Sequence, residues 1–185
     1  EPTTHACAFD PSDVVIGGSA QRTCLEGLLA KAHRRVIVHS TFLDSVRFGE
    51  LSDLIRAACV RGVTFDLLWG AEKDEETETR NAAAASQIAK LVRDDRDMRG
   101  RFRVHMRTTG SHAKLILVDT AEDGWIAGVG SCNWFSAPFQ SVELTVVLRD
   151  QHAVADMAVA LQRLVGRRGL ADDICLEMAI TARDL

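Results

Sequence analysis

Two spacings of apolar residues alternate along the chain. Between residues 20 and 33 the apolar side chains recur every three or four positions, which predicts a helix with one buried stripe. Residues 35–40 are short, β-branched and nearly continuous in apolar character, as expected of a strand buried on both faces. A second helix at 51–58 and a second strand at 63–69 repeat this order.

The remaining sequence continues the alternation. Residues 74–95 are rich in Glu, Ala, Lys and Gln and predict a long amphipathic helix. Alternation of helices and strands implies crossover connections. We therefore expect one α/β domain over residues 1–185, with a mixed, largely parallel sheet flanked by helices on both faces. Further strands are predicted at about 102–107, 113–118, 124–129 and 142–148, and helices at roughly 151–165 and 171–183.

Length and composition are those of an ordinary globular protein. Of 185 residues, 46% are hydrophobic and 26% are charged. No apolar run approaches the roughly 20 residues that cross a bilayer, and residues 1–12 lack the features of a signal peptide. We therefore expect a cytoplasmic protein without a membrane segment. The chain begins at Glu1 rather than at methionine, which suggests that residues were removed or that the domain belongs to a longer chain.

Charge and cysteine content narrow the kinds of partner and site. The net charge of −4 argues against a surface that is basic everywhere. Residues 96–114 nevertheless carry six basic residues and one acid, so an anionic substrate can be met there. The five cysteines are an odd, scattered set without a C-x-x-C pair, and we interpret them as reduced thiols.

His112 and Lys114 are the first candidate functional pair. Because side chains alternate along a strand, the two residues are predicted to project from the same face of one strand, with Ala113 on the other. Two neighbouring cations on a buried strand are costly unless an anion or a hydrogen-bond partner compensates them. The pair is therefore a candidate site.

A second candidate segment lies at 128–133. It combines two glycines and Ser131 with Asn133, which predicts a small-residue turn whose backbone donors and amide can reach a phosphate. Glu143 is a lone carboxylate before the last predicted strand. A carboxylate that accepts from an imidazole fixes its tautomer, so we expect Glu143 to pair with His112.

Taken together, these residues resemble the H-x-K-x4-D signature of the phospholipase D superfamily. His112, Lys114 and Asp119 occupy its three fixed positions, and a G-S-x-N segment and Glu143 follow in the expected order. The resemblance covers residues 110–143, and the preceding A-x-x-R-G-V segment also looks like this family. The single motif is similar to that of the dimeric bacterial nuclease branch. A phospholipase D-like fold is implied.

The resemblance also implies a reaction without metal or cofactor. One His112 would attack phosphorus and form a phosphohistidine that water later hydrolyses, while a second histidine would protonate the leaving oxygen. Lys114 and Asn133 would hold the nonbridging oxygens. Ser131 would assist or orient, and Asp119 would support the site from behind.

The family places two copies of the motif in one site, but this chain contains a single H-x-K. The simplest solution is a homodimer in which His112 of each chain faces its counterpart across a twofold axis. The alternative is a second motif in another part of a longer chain.

Other residues have both a functional and a purely structural interpretation. Arg103, His105 and Arg107 alternate along a predicted strand and form either a basic wall that contacts substrate or a solvated charged face. His39 can line the same cleft, but a hydrogen-bonded core histidine is favoured. Cys132 lies inside the G-S-x-N segment, and we interpret it as a packing residue rather than a nucleophile.

Three functions remain open at this point. A nuclease acting on DNA or RNA is favoured, because arginines surround the candidate site and no apolar lipid-binding loop is found. A lipid phosphodiesterase or phosphatidyl transferase would need an amphipathic membrane-facing segment. A non-catalytic nucleic-acid-binding and oligomerisation module would keep the fold without cleavage. No metal site is expected, since the histidines lack neighbouring carboxylates or thiols at ligand spacing.

Overall fold

The computed structural model describes residues 10–70 and 74–167, in which strands and helices alternate. A 3-10 turn at Pro11–Asp13 precedes the first strand. The strands are β1 (Val14–Ile16), β2 (Ala32–Ser40), β3 (Thr64–Trp69), β4 (Phe102–Val104), β5 (Leu115–Thr120), β6 (Gly124–Gly130) and β7 (Leu144–Leu148). The helices are α1 (Gly18–Lys31), α2 (Ser45–Glu50), α3 (Ser52–Val60), α4 (Glu75–Asp94) and α5 (Gln151–Arg167).

Local signals define the helix ends. The carboxylate of Asp44 accepts from the backbone N–H groups of Val46 and Arg47 at the start of α2, and that of Asp74 accepts from Thr77 at the start of α4. Every predicted helix that falls within the described residues is present, with ends that differ by a few positions. The short elements β1 and α2 are not predicted by the sequence pattern, and the helix predicted at 171–183 lies outside the described residues.

All seven strands form one sheet in the order β1-β7-β6-β5-β2-β3-β4. The predicted mixed α/β architecture is confirmed, but the sheet is not largely parallel. Only β2 with β3 and β3 with β4 are parallel, whereas the other four pairings are antiparallel. For β5 and β6 the reason is connection length, because the turn at 121–123 that joins them is too short for a crossover.

Helices cover both faces of the sheet, as predicted. Side chains of β5 alternate between the faces, so that Ile116 and Val118 join the core beneath α1–α4 while Leu115 and Leu117 join the core beneath α5. The central strands are buried on both sides, which explains their nearly continuous apolar sequence.

Four neighbouring strands have their ends on the same side of the sheet, at right angles to the strand direction. β2 and β6 finish there, whereas the antiparallel strands β5 and β7 begin there. The register shows this, since His39 pairs with Leu115 and Gly130 pairs with Thr145. We call this the site edge. Segments far apart in the sequence therefore meet at this edge, since the loops before β5, after β2 and after β6 all leave from it.

Candidate active site

His112 and Lys114 lie in the loop that enters β5, not on the strand itself. The predicted strand at 113–118 begins two residues later, at Leu115, so the argument from strand alternation does not apply. The two side chains nevertheless meet: Lys114 Nζ is 3.1 Å from His112 Nδ1 and 3.3 Å from the His112 carbonyl oxygen. An ammonium group has only donors, so Nδ1 accepts here and the proton of a neutral ring lies on Nε2.

The backbone and ring of His112 are held by the segment that follows β2. Thr41 Oγ1 donates to the His112 carbonyl oxygen at 3.0 Å. The Phe42 ring meets the imidazole nearly perpendicularly, with 6.1 Å between ring centroids. The histidine side chain itself is exposed, so a substrate can reach it.

Asn133 is oriented by two backbone donors. Its Oδ1 accepts from the N–H groups of Thr41 at 2.9 Å and Phe42 at 3.4 Å. The amide cannot turn over without losing both bonds, so Nδ2 points away from this segment. Within the described ranges nothing accepts from Nδ2. It is a preoriented donor beside the His112 loop.

Ser131 and Glu143 bind each other. Ser131 Oγ donates to Glu143 Oε2 and accepts from the backbone N–H of Leu144 at 3.0 Å. The predicted bond between Glu143 and His112 is not made among the described residues of this chain: Lys114 contacts the imidazole, and Glu143 accepts from Ser131. The acid therefore orients Ser131.

Asp119 does not reach the site. It lies four residues into β5 from Leu115, about 13 Å along a strand with a rise of about 3.3 Å per residue. Its buried carboxylate accepts from Arg34 Nε at 2.7 Å. Asp119, the third fixed position of the signature, thus connects the end of β5 to the start of β2, on the side of the sheet opposite the site edge.

The glycines before Asn133 have a packing role. Gly128 and Gly130 lie within β6, and a Cβ on Gly130 would stand 1.9 Å from the Leu144 carbonyl oxygen. The backbone N–H of Ser131 donates to that same oxygen at 2.9 Å. The N–H groups of Gly130 and Ser131 are thus bonded within the fold and are not open donors for the predicted phosphate cradle, whereas the Asn133 side chain presents one.

The predicted basic wall is not formed as one exposed face. β4 ends at Val104, so strand alternation stops before His105. His105 is buried, and Arg103 pairs with the buried Asp66 at 3.3 Å. Only Arg107 is exposed.

His39 is a hydrogen-bonded core histidine, as the sequence favoured, and it packs against the loop that carries His112. It is fully buried, with Nδ1 2.8 Å from the Ala113 carbonyl oxygen and Nε2 2.6 Å from Thr109 Oγ1. A carbonyl only accepts, so Nδ1 carries the proton and Nε2 accepts from the threonine. Burial lowers the pKa of His39 from 6.5 to about 4, with the nearby Lys114 charge acting in the same direction. In the sequence, this role is indicated by a lone histidine at the end of a predicted buried strand.

Cys132 is a packing residue, in agreement with its interpretation from the sequence. It is fully buried, and burial, followed by the charge of Glu143, raises the pKa of its thiol to about 12. A thiolate nucleophile is therefore disfavoured at this position.

The arrangement can bind and polarise an anion. An ammonium, an imidazole and an amide N–H face the site edge from two loops, each held by hydrogen bonds to the segment after β2. Donors that are oriented before the ligand arrives suit a phosphoryl group, whose charge is spread over several oxygens.

Comparison with known families agrees with this geometry. The family model described as "Cardiolipin synthase, PLD-like domain" matches residues 25–165. The chain belongs to the phospholipase D-like family. The matched region of this phospholipase D-like domain contains every candidate site residue named above.

Solved structures show the same fold at low identity. NucT from Helicobacter pylori has a TM-score of 0.54 and 13% identity, over 83% of this chain and 94% of that one. TrmBL2, described as an archaeal chromatin protein with a novel mode of DNA binding, has a TM-score of 0.53 and 17% identity, over 83% of this phospholipase D-like chain and 52% of its own. A search of curated proteins finds no match.

The described residues contain neither a metal-binding cluster nor a membrane-spanning helix. Over residues 10–70 and 74–167, no group of three or more His, Cys, Asp or Glu side chains is placed to hold a metal ion. In the same ranges, none of the helices has the length and apolar character that crossing a membrane requires.

Proposed function

We propose that this phospholipase D-like protein is a metal-independent phosphodiesterase, and specifically a cytoplasmic nuclease that acts through a phosphohistidine intermediate. The observation that carries the proposal is the contact of Lys114 Nζ with His112 Nδ1 at 3.1 Å, beside the preoriented amide of Asn133. Lys114 and Asn133 would bind the nonbridging oxygens of the scissile phosphate.

The reaction needs two imidazoles in opposite protonation states. Nε2 of one His112 attacks phosphorus, and the P–N bond forms as the P–O bond to the leaving group breaks. The departing oxygen takes the proton from Nε2 of the second His112. Water then attacks phosphorus, the P–N bond breaks, and the water proton passes to that second imidazole.

The contact with Lys114 suits a neutral ring with its proton on Nε2, which is the resting form of neither role. The general acid would be an imidazolium, protonated on both nitrogens, that becomes neutral when Nε2 gives up its proton, and the nucleophile would be a neutral ring with its proton on Nδ1. In both subunits Lys114 would therefore leave Nδ1 and move to the phosphate oxygens. A homodimer would supply both imidazoles, since each chain contains one H-x-K motif.

Nucleic acid is the substrate class we favour. A solved structure with the same fold is described as a chromatin protein that binds DNA. The exposed Arg107 and the half-buried Lys114 lie on loops at or near the site edge and are compatible with a phosphate backbone.

Parallel incubation with single-stranded DNA, duplex DNA, RNA and phospholipid vesicles tests the proposal. We expect nucleic acid hydrolysis that persists in excess chelator and falls by at least about a thousandfold in His112→Ala. His33→Ala is the matched control, because His33 is exposed at the opposite end of β2. Turnover of phospholipid alone, or salt-dependent binding of DNA without cleavage, would contradict the nuclease.

The dimer has its own test. Light scattering should give twice the chain mass at micromolar concentration. Mixing inactive His112→Ala with inactive Lys114→Ala should not restore full activity, because every shared site would still lack two of its four His112 and Lys114 side chains. A strictly monomeric, fully active protein would exclude the shared site.

A further inference from the structure

A cleft opens beside the candidate site on the side of α4. Its volume is about 360 Å³, within the roughly 300 to 1,000 Å³ typical of small-ligand sites. It is lined among others by Phe42, Asp44, Arg80, Asn133, Pro138 and Glu143. Two of these, Asn133 and Glu143, also belong to the candidate site, so the cleft and the scissile position adjoin.

Some polar side chains that line the cleft already have hydrogen-bond partners in the protein, and others do not. The carboxylate of Asp44 accepts from two backbone N–H groups at the start of α2, and that of Glu143 accepts from Ser131. Arg80 is exposed and forms no ion pair or hydrogen bond with another described residue. Its guanidinium and the Asn133 amide are therefore the groups with donors to offer.

An aromatic side chain contributes to the wall of the cleft next to the candidate site. Phe42 lines the cleft and also meets the His112 ring at 6.1 Å between centroids. A planar group that enters from the scissile position would pass along this side chain, and base stacking on an aromatic ring is a sequence-tolerant way to hold a strand.

We propose that this cleft binds the nucleotide next to the scissile phosphodiester, with Arg80 on the neighbouring phosphate and Phe42 against the base. The inference rests on the proposed nuclease function, because it assigns the direction in which the strand leaves the site. The volume suits one nucleotide of a single strand rather than a duplex.

Arg80→Gln tests the phosphate contact, with Arg93→Gln as its control. Both residues are exposed on α4 and both changes remove one charge, but Arg93 lies about 20 Å further along the helix. For an oligothymidylate, Arg80→Gln should raise KM about tenfold, whereas for a diester with a single phosphate, thymidine 5′-p-nitrophenyl phosphate, the rise should stay below about twofold. Arg93→Gln should change neither value.

Binding in a His112→Ala background separates this inference from the nuclease proposal. There, Arg80→Gln should weaken the Kd for the oligothymidylate and flatten the plot of log K against log salt by about 0.7, the value for one phosphate contact on a single strand. An Arg80-dependent Kd without cleavage in the parent protein would sink the nuclease and keep the subsite. An unchanged Kd and salt slope, or equal effects on both substrates, would overturn the subsite.

Phe42→Ala tests the base contact. It should raise KM for the oligothymidylate at least about fivefold, since stacking on one aromatic side chain is worth that much or more. The effect should vanish for an oligonucleotide that lacks bases beside the cleaved linkage, and Phe42→Tyr should restore the normal value. An equal loss on both substrates would mean that Phe42 acts only through the His112 ring.

Discussion

His39 Nδ1 donates to the carbonyl oxygen of Ala113 at 2.8 Å, directly between His112 and Lys114. The other ring nitrogen accepts from Thr109 Oγ1, and that oxygen accepts from the Ser111 backbone N–H at 3.3 Å. One buried ring therefore holds residues 109–113 at two points. Because a displacement of about 1 Å can cost about a hundredfold in rate, this ring matters for positioning.

Thr109→Val should lower kcat more than it lowers stability. The change keeps the side-chain shape but removes the donor to His39 and the acceptor for the Ser111 N–H, so the loop that carries His112 loses part of the hydrogen bonding that holds it in place beside the Thr41 bond to the His112 carbonyl. We expect kcat to fall at least about tenfold with little change in KM. The free energy of unfolding should fall by about 1 to 2 kcal/mol.

Thr120→Val is the control for that change. Thr120 is buried at the far end of β5, where its hydroxyl donates to the Gly124 carbonyl oxygen at 2.8 Å and accepts from the Asp123 backbone N–H. A similar loss of stability without a loss of kcat is expected. Equal effects of the two substitutions on kcat would show that Thr109 acts through stability alone.

The pKa of His39 predicts a pH dependence of folding. The folded protein holds the ring neutral down to about pH 4, whereas the unfolded chain takes up a proton below about pH 6.5. The stabilising contribution is therefore complete above pH 6.5 and is lost as the pH falls towards 4, by roughly 3 kcal/mol in all.

Urea unfolding of the wild type and His39→Asn between pH 4 and 7 measures this contribution. Asparagine keeps a donor for the Ala113 carbonyl but does not titrate. The difference in unfolding free energy between the two proteins should shrink as the pH falls through this range. A difference that stays constant would contradict the neutral, buried ring.

Much of the fold could be predicted from periodicity, but not the direction of its strands. Long elements such as α4, with twenty residues, repeat their pattern often enough to be recognised. β1 has three residues and α2 has six, which is too few to establish a period. The antiparallel half of the sheet depends on where β5 inserts, and no local pattern along the strand encodes that choice.

The site was predicted where the chemistry depends on residue type and missed where it depends on partners. His112 and Asn133 both bind Thr41, and Lys114 contacts the His112 ring, so these three residues lie close together. The partner predicted for Glu143 was wrong within this chain, because the fold brings Ser131 to its carboxylate. His39 is the core histidine that the sequence favoured, but its bond to the His112 loop joins residues 74 positions apart and could not be predicted from spacing.

Asn133→Asp should abolish most activity while keeping the fold. The carboxylate retains an acceptor for the backbone N–H groups of Thr41 and Phe42, but it replaces the Nδ2 donor by a negative oxygen beside the phosphate. Removal of one preoriented donor costs about a hundred- to a thousandfold in kcat. The measurement is kcat together with the thermal midpoint, and an unchanged midpoint with near-normal kcat would exclude Asn133 as a phosphate ligand.

Gly130→Ala and Gly27→Ala should act in opposite directions on stability. A Cβ at Gly130 would meet the Leu144 carbonyl oxygen at 1.9 Å, where only movement of the β6–β7 backbone can make room, whereas nothing lies within 4 Å of a Cβ at Gly27 in α1. We expect Gly130→Ala to lower the unfolding free energy by at least about 2 kcal/mol.

Gly27→Ala should instead raise it by about 0.5 to 1 kcal/mol, because alanine restricts the unfolded chain and suits a helix. Denaturant titration checks both values. Because Ser131 and Glu143 lie at the ends of the displaced strands, Gly130→Ala should also reduce kcat, and Gly27→Ala should not. A stable, fully active Gly130→Ala protein would mean that the contact between β6 and β7 is looser than described, and that the position of Ser131 does not depend on it.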